Sequence, residues 1–337
     1  MADTDYKGNL ARPHWGGSNA DLDIHLEAYE GEIDGSFRVG SLFRGTGLTN
    51  YKTVQDHSNT YRGDRIGGVE IRGRRSGEKL EQRSIANEKF LITVDTTSYA
   101  STPIDYQDDW TAPDFQTEYA AEHGTSHSKA FDQAHIIQLI KASEWKAPAS
   151  LKTGDAFRDG IGKDIDAVSG ATVEEKASAI VSTHGEALSD LIKRDLGDAR
   201  GEFITLIDPD YFNILLNHDK LMNVEFQGGN GFNDFAQRRI AVMNGIRVIE
   251  TPRFPTSTIT NHILGPDFNV TANQAKARVI LFHPRQTLLT VEAQPMTVRF
   301  WDDKPNFSNV LDSYHMYTVG IRRGDASVTL FEGANMV

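Results

Sequence analysis

Apolar and polar residues alternate in the stretch EKFLITVDT, where Phe90, Ile92 and Val94 share one face. This two-residue period is typical of a half-buried β-strand. A second strand-like run, DRIGGVEIRG, comes before it, and glycine marks the segment between them around Ser76 and Gly77. The pattern predicts a long hairpin from about residue 60 to 90, with too few apolar residues to pack on itself.

A helical period follows. Over residues 113–145, apolar and small residues recur at three- and four-residue steps, and Pro113 stands where a helix begins. This predicts one helix of roughly 30 residues. Residues 146–171 have the composition of a loop. The sequence TVEE at 172–175 is a capping box, and it begins a second predicted helix that ends at Gly197.

From residue 202 the pattern changes to strands with one short helix among them. The strand-like runs are EFITLID, RIAVMNGIRVIETP, ARVILFHP, TVRFW, MYTVGIRR and SVTLFEG, and DPDYFNILLN is the short helix. Asn244-Gly245 is a hairpin turn signal. The order of hairpin, long helix, second helix and strands predicts an α+β chain. Strands and helices do not alternate as they would in a nucleotide-binding fold.

Composition narrows the class of protein. The 337 residues are 39% hydrophobic and 24% charged, which indicates a globular chain of roughly two packed units. The chain has no cysteine, so disulfides, thiol nucleophiles and cysteine-ligated zinc are excluded. No apolar run approaches the roughly 18 residues of a membrane helix, and the N-terminus lacks the pattern of a signal peptide. We therefore expect no membrane partner.

The formal net charge is −12, yet residues 65–84 hold six basic side chains and three acidic ones. Three interpretations compete for this cluster: a phosphate cradle, a nucleic-acid patch, or an arm that contacts another protein chain. No strand-to-helix transition follows its glycines, which disfavours a phosphate cradle. Stacking aromatics are missing, which disfavours a nucleic-acid patch. The acidic balance also argues against wrapping nucleic acid, so contact with DNA should be weak.

Two histidines, His123 and His127, stand four residues apart on the long predicted helix, where two imidazoles can share a metal. His135 lies two turns further on. The glutamate of a metalloprotease motif is missing between the first two, and His123 falls on the apolar stripe, so core histidines are the favoured interpretation. We predict no catalytic, metal or cofactor site and no enzyme activity. A metal-dependent hydrolase using His123 and His127 stays as a minor alternative.

Three runs taken in order carry a resemblance: EKFLITVDTTSYASTPIDYQDDWTAPDFQTEYAAEHG, then DPDYFNILLN, then GIRVIETPRFP. Their order and spacing resemble the major capsid protein of short-tailed phages of the T-seven type. The similarity covers roughly residues 26–335. Each run is modest in specificity, and together they are persuasive because unrelated chains would not repeat the order. The resemblance implies an α+β subunit of the HK97-like capsid fold.

The family's parts map onto the whole chain. They are an N-terminal arm (1–50), an extended β-hairpin loop (51–92), a peripheral domain with the spine helix and the following loop (93–171), an axial domain (172–289), and strands returning to the peripheral domain (290–337). Such proteins form hexamers and pentamers of an icosahedral, DNA-filled head. The implied partners are further copies of the chain, a scaffolding protein, a portal, possible decoration proteins, and double-stranded DNA contacted weakly, with assembly in the host cytoplasm. A bacterial encapsulin, which encloses enzymes, is the alternative.

In this fold the extended loop of one subunit lies over the peripheral domain of the next. The resemblance therefore implies an intersubunit contact between a basic loop and an acidic stretch, residues 101–122, that has six carboxylates and no Lys or Arg. The basic residues are Arg62, Arg65, Arg72, Arg74, Arg75 and Lys79, and the acidic ones are Asp105, Asp108, Asp109, Asp114, Glu118 and Glu122. A solvated surface of mixed charge is the alternative interpretation.

A glycine-rich segment, VEFQGGNGFNDF at 224–235, is by the same resemblance a loop at the centre of each hexamer or pentamer. Its residues are Phe226, Gly228, Gly229, Asn230, Gly231 and Phe232. An ordinary surface loop is an equal alternative. Some relatives join a loop lysine to an asparagine of a neighbour. Lys79 could donate here, but no acceptor asparagine matches, so we expect a shell held by non-covalent contacts.

Overall fold

The structure is a computed structural model that describes residues 40–54, 58–80, 82–111, 115–152, 156–196, 202–218 and 241–336. These residues divide into two compact units. The first unit contains residues 40–41, most of Asp95–Phe131, and Gln294–Tyr317, and the second contains most of Leu42–Val94, Asp132–Ala293 and Thr318–Val337. Two strands and the longest helix therefore each contribute residues to both units.

The strands are β1 (Asn50–Thr53), β2 (Thr60–Ile66), β3 (Asn87–Thr93), β4 (Thr97–Asp105), β5 (Ile161–Ile165), β6 (Ile204–Ile207), β7 (Ala241–Met243), β8 (Ile246–Glu250), β9 (Ala277–Phe282), β10 (Leu288–Asp303), β11 (Ser308–Ile321) and β12 (Ser327–Glu332). The α-helices are α1 (Tyr106–Thr111), α2 (Phe115–Ala142), α3 (Val173–Leu191) and α4 (Pro209–Leu215). Within the described residues this is a mixture of helices and sheets, so the predicted α+β class is confirmed.

In the first unit, β4 pairs antiparallel with β11. The register runs from Asp105 opposite Ser308 to Thr97 opposite Met316. Inward-facing side chains of β11 are buried at alternate positions, as the two-residue period requires. The Phe131 ring, at the end of the part of α2 that belongs to this unit, lies 4.9 Å from the Tyr317 ring, centroid to centroid. This contact packs helix α2 against strand β11.

The second unit is built on a six-stranded sheet of order β5-β12-β9-β6-β8-β7. Strand β12 pairs parallel with β5 and antiparallel with β9. Helices α3 and α4 pack against this sheet and bury Ile180, Leu191, Phe212 and Leu281. Aliphatic and aromatic side chains of this size stabilise a fold by roughly 1.5–3 kcal/mol each when fully buried. A hydrophobic core of the second unit therefore lies between α3, α4 and the sheet.

The N-terminal end of α3 forms as the sequence predicts. Thr172 Oγ1 accepts a hydrogen bond from the Glu175 amide at 3.3 Å, and the Glu175 carboxylate accepts one from the Thr172 amide at 2.7 Å. These two bonds satisfy amides that the first turn of a helix leaves without a partner. The predicted capping box is confirmed. The α-helix ends at Leu191 and continues as a π-helical turn over Ile192–Leu196, directly before the predicted stop at Gly197.

Most other predicted elements are confirmed, with shifted ends. The long helix extends over Phe115–Ala142 instead of 113–145. The Asn244-Gly245 turn joins β7 to β8, and both residues have positive φ, 52° and 79°, as a tight hairpin turn requires. The strand-like run TVRFW lies inside the longer strand β10, and MYTVGIRR overlaps the end of β11, which stops at Ile321.

The prediction of loop structure throughout 146–171 is wrong at Ile161–Ile165, which form β5. This short strand pairs with the edge of β12 over a register that begins with Ile161 opposite Val328. The local sequence IGKDI has only two apolar residues, so its strand signal is weak. Pairing with a neighbouring strand decided the conformation here, and that neighbour is about 170 residues away in sequence.

His184 of α3 is fully buried and neutral in this fold. Its Nδ1 atom lies 3.1 Å from the Asn244 amide nitrogen, and its Nε2 atom lies 2.9 Å from Thr205 Oγ1. The amide nitrogen can only donate, so Nδ1 accepts and Nε2 carries the proton. Burial lowers the pKa of His184 to about 4 from its ordinary value of 6.5. Protonation would place the Nδ1–H of the ring against the N–H of the Asn244 amide and leave a buried charge.

This predicts an acid-dependent loss of stability. The unfolded chain protonates His184 below pH 6.5, whereas the folded chain resists until about pH 4. Stability therefore falls as the pH falls through this window, and His184 alone should account for about 2 kcal/mol between pH 7 and pH 5. Denaturant unfolding of the unassembled subunit, compared with His184→Gln, measures this contribution. Equal pH dependence in both proteins would contradict the assignment.

Candidate functional site

The predicted hairpin is present, and it consists of a paired base and an open tip. Strands β2 and β3 pair antiparallel from Thr60 opposite Thr93 to Ile66 opposite Asn87. Beyond them, the Gly67 amide donates to the Ala86 carbonyl at 2.7 Å. The chain then turns at Ser76-Gly77, where Gly77 has a φ of 92°. The predicted position of the tip is confirmed, although the described residues between 67 and 86 form no strand.

Arg65 secures the base of the hairpin to its own subunit. Its Nε and Nη2 atoms donate to the carbonyls of Arg322 and Ile321 at 3.0 and 3.1 Å. The guanidinium lies 4.4 Å from the centroid of the Phe90 ring and 5.4 Å from that of Trp145. Burial lowers the pKa of Arg65 from its ordinary value. The sequence hypothesis directed this arginine toward a neighbouring subunit, and the contacts that the structure shows for it are with its own chain.

Apolar residues support the base from beneath. Ala147, Leu151 and Phe157 form a small buried cluster against which Ala86 and Trp145 pack. The ring of Phe157 also faces the Arg323 guanidinium, whose carbon lies 4.6 Å from the ring centroid. A two-stranded hairpin is marginally stable alone, so this cluster supplies the buried surface that the hairpin lacks.

A buried carboxylate lies next to this cluster. Asp325 is 1% exposed and accepts from Arg323 Nε at 2.8 Å and from the Arg158 amide at 3.2 Å. The Arg194 guanidinium donates to the carbonyl of the same residue at 3.1 Å. A buried charge is tolerated only when it is paired and hydrogen-bonded, as here. The network fixes the chain immediately after β11, next to the carbonyls that receive Arg65.

The other basic residues of the predicted loop are exposed and belong to the tip or its edge. Arg62 lies 3.4 Å from Asp64, and Arg72 lies 2.7 Å from Glu70. The hydrogen bond from Arg72 lowers the pKa of Glu70. Arg74 donates to the Glu78 carbonyl, and the Arg75 amide donates to the Glu78 carboxylate. Lys79 is exposed. Exposed pairs of this kind contribute about 0–1 kcal/mol, so the guanidinium groups can exchange partners.

The predicted acidic stretch covers the end of β4, α1 and the first turns of α2. Asp105 accepts a hydrogen bond from the Gln107 amide at 2.8 Å, which gives it a local structural role. Asp108 and Asp109 belong to α1, and Glu118 and Glu122 are half-buried on α2. Asp114 lies outside the described residues, as do most of the predicted N-terminal arm and the whole predicted loop at 224–235, so those assignments stay predictions.

The histidines of the minor hydrolase hypothesis are hydrogen-bonded to hydroxyl groups. His123 contacts Thr102 Oγ1 at 2.8 Å and Ser313 Oγ at 3.0 Å, and His127 contacts the same Ser313 oxygen at 3.0 Å. Burial lowers the pKa of His127. His135 contacts Thr290 Oγ1 at 2.7 Å. Among the residues that the structure describes, no group of three or more His, Asp or Glu could hold a metal ion. Through these hydrogen bonds, the histidines connect helix α2 to strands β4, β11 and β10.

Sequence reasoning missed the apolar residues of the hairpin tip. The run DRIGGVEIRG is strand-like in sequence, but pairing stops at Ile66, and the next apolar residues, Val69 and Ile71, are 66% and 95% exposed. Leu80 on the other limb is 78% exposed. The sequence does show alternating apolar residues here. It also shows that the hairpin has too few other apolar residues to bury them.

The contacts of Arg65 predict a role in holding the hairpin base. Arg65→Ala should remove about 1–3 kcal/mol of local stability, because it leaves two carbonyls and two aromatic faces without their cation. Amides of β2 and β3 should then exchange with deuterium roughly tenfold faster or more in the unassembled subunit. Arg65→Lys should restore only part of the protection, since an ammonium keeps the charge but lacks the planar fork of donors and the flat face of the guanidinium.

Arg62→Ala is the matched control, because Arg62 lies on the same strand and is exposed. Its exchange rates should stay close to those of the parent protein. Unchanged protection of β2 and β3 in Arg65→Ala would show that the base is held by other contacts.

Comparisons with known proteins define the family. No family model matches the chain, and no curated protein does. Among solved structures, it is similar to the "asymmetric unit of bacteriophage PhiM1 mature capsid", with 45% identity over 100% of both chains and a TM-score of 0.81. A capsid chain of cyanophage P-SCSP1u has 16% identity over 98% of both chains and a TM-score of 0.74. A chain of Mycobacterium phage Che8 has 14% identity over 90% of this chain and 96% of its own, with a TM-score of 0.63.

The first of these likenesses covers the full length at high identity, and the other two show the same fold at low identity. In the described residues, no α-helix has both the length and the apolarity to cross a bilayer. A phage capsid role is better supported than the encapsulin alternative, and the likeness is to structural proteins and not to enzymes. The chain therefore belongs to the phage major capsid proteins of the HK97-like fold, and it is a structural subunit of a virion capsid.

Proposed function

We propose that the basic hairpin is the clamp by which each capsid subunit engages the next, and that its charges select the partner and the register. The observation that carries this proposal is the division of the hairpin into a base held by Arg65 and an exposed, basic tip. Because the base is fixed, it sets the direction in which the hairpin extends. A solvated surface of mixed charge would need no such anchoring.

The receiving surface in this proposal is the acidic stretch at 101–122, which contains six carboxylates and no Lys or Arg. Opposite charges on the two surfaces would raise the association rate and disfavour wrong partners. Each exposed pair contributes only about 0–1 kcal/mol, but a closed shell repeats the contact at every equivalent boundary between subunits. The charge pattern therefore contributes more to the choice of the neighbouring subunit than to the affinity for it.

The finer family assignment also belongs to this proposal. We propose a short-tailed phage of the T-seven type, with the domain order given by the resemblance and hexamers and pentamers as capsomers. Scaffolding protein, portal and weakly contacted packaged DNA are the further proposed partners, and assembly takes place in the host cytoplasm. The absence of a strongly basic composition fits packaging that does not depend on charge neutralisation by this chain.

Charge reversal with rescue tests the clamp. Replacing Arg72, Arg74 and Arg75 with Glu should block assembly, since like charges would then face each other. Replacing Asp105, Asp108 and Asp109 with Lys in the same chain should partly restore it. Sedimentation and negative-stain microscopy at several salt concentrations measure the shells. Normal, equally salt-resistant shells from the triple Glu variant would leave the clamp unsupported.

A second triple lysine variant controls for net charge. Asp164, Asp195 and Asp210 are exposed carboxylates outside the acidic stretch, and replacing them with Lys changes the net charge by the same amount. This set should not rescue the triple Glu variant. Equal rescue by both sets would mean that overall charge, and not a contact between the two surfaces, controls assembly.

A further inference from the structure

The hairpin tip contains an apolar seat. Its two limbs border an open cavity of about 800 Å³ that is lined by Val69, Leu80 and Ile85. These aliphatic side chains are 51–78% exposed. Apolar side chains that share one open surface mark protein contact sites more often than scattered single ones do. The cavity is large enough to receive aromatic side chains of a partner.

Charged residues, most of them basic, also border this seat. They are Arg72, Arg74, Lys79 and Arg83, together with the acidic residues Glu70 and Glu78. A guanidinium placed over an indole or phenyl face is attracted to it, and the attraction strengthens when water is excluded. An apolar surface bordered by an excess of basic side chains therefore favours an aromatic group that is surrounded by acidic residues.

The first unit carries such a group at its surface. The rings of Tyr106 and Phe307 lie 4.6 Å apart, and Trp110 lies 6.1 Å from Tyr106 and 6.0 Å from Phe307, centroid to centroid. Trp110 is 70% exposed and Phe307 is 49% exposed. Large aromatic residues are over-represented as anchors of protein interfaces. We call these three residues the aromatic cluster.

The backbone at Phe307 is unfavourable for a residue of this size. Phe307 has φ 53° and ψ 45°, in the left-handed region, where it ends the short turn at Lys304–Asn306. Glycine or asparagine would occupy this position with less strain. The Phe307 carbonyl accepts from the Tyr106 amide at 3.2 Å, and this bond keeps the ring beside the other two. A strained residue held in place by its surroundings is a sign of function when it is also exposed.

The charges around the cluster complement those of the seat. The two segments that meet there, 105–111 and 302–307, hold five aspartates and one lysine. The tip, 69–85, holds five basic residues and three acidic ones. The two surfaces therefore match both in their apolar centres and in the sign of their surrounding charge, which is the arrangement of a polar rim around an apolar core.

We propose that the aromatic cluster of one copy, with Trp110 as its anchor, inserts into the hairpin seat formed by Val69, Leu80 and Ile85 of a second copy. This inference rests on the proposed clamp and gives it an apolar centre. The contact is head-to-tail, so a series of copies closes into a ring when the rotation between neighbours permits. Charge guides the two surfaces together, and burial of the aromatic and aliphatic side chains supplies the strength.

Cysteine cross-linking tests the contact directly, because the chain has no cysteine of its own. Shells of the full chain that carry Ile85→Cys and Phe307→Cys should form disulfides between copies under mild oxidation. Non-reducing denaturing electrophoresis should then show a ladder of linked subunits. The control pairs Ile85→Cys with Val168→Cys, since Val168 is also 70% exposed but lies in the second unit. This control should run as a single subunit band on the denaturing gel. A ladder from both pairs, or from neither, would overturn the proposal.

Substitutions that leave the charge unchanged provide the second test. Trp110→Ser and Leu80→Ser should each raise the subunit concentration needed for assembly by about tenfold or more. In the double variant, this concentration should rise by less than the product of the two single increases, because both substitutions remove the same contact. Tyr99→Ser is the matched control, because Tyr99 is 79% exposed in the same unit as Trp110. Circular dichroism must show the parent fold in each variant.

The combined results separate the two proposals. Assembly that is unchanged by Trp110→Ser and Leu80→Ser, together with no cross-link, would overturn the seat. If charge reversal and rescue still succeed in that case, the clamp stands and only its apolar centre is wrong. If the charge-reversed chain also assembles normally, both proposals fall. Equal impairment by Tyr99→Ser would overturn the seat as well, because it would show no preference for the aromatic cluster.

Discussion

The rest of the hairpin depends on one contact, the Arg65 guanidinium held between two backbone carbonyls and two aromatic faces. An isolated pair of strands cannot bury enough apolar surface to stay folded. Arg65 joins the pair to the chain after β11, and the cluster around Leu151 supports it from below. Because the base is held in this way, the apolar residues of the tip can stay exposed to solvent while the hairpin remains folded.

Charge has two different roles in this molecule. At the base, Asp325 and Arg323 are largely buried and fully engaged, so they determine where the chain lies. At the tip, the arginines pair with exposed glutamates of their own limb at little gain in free energy. Such pairs can be exchanged for better ones when another acidic surface approaches. An acidic chain can therefore keep a basic segment without binding nucleic acid along its surface.

Several features were predictable because their causes are local. The capping box before α3, the Asn244-Gly245 turn and the alternation in β3 each depend on residues within a few positions of one another. Local hydrogen bonds and local side-chain period decide such elements. The order of these elements, together with three sequence runs, was sufficient to identify a phage capsid protein, and the full-length likeness at 45% identity confirms that assignment.

The features that escaped prediction have causes distant in sequence. Strand β5 exists because β12 offers it an edge, and Arg65 is half-buried because Trp145 and Arg322 come to it from other parts of the chain. The exposure of Val69 and Leu80, and the meeting of Trp110 with Phe307, likewise depend on which segments the fold brings together. The sequence by itself determined most of the elements, the phage capsid family and the excess of basic residues in the hairpin. Only the tertiary structure decided which of those residues secure the hairpin and which remain exposed, because burial is a property of neighbours in space and not of neighbours along the chain.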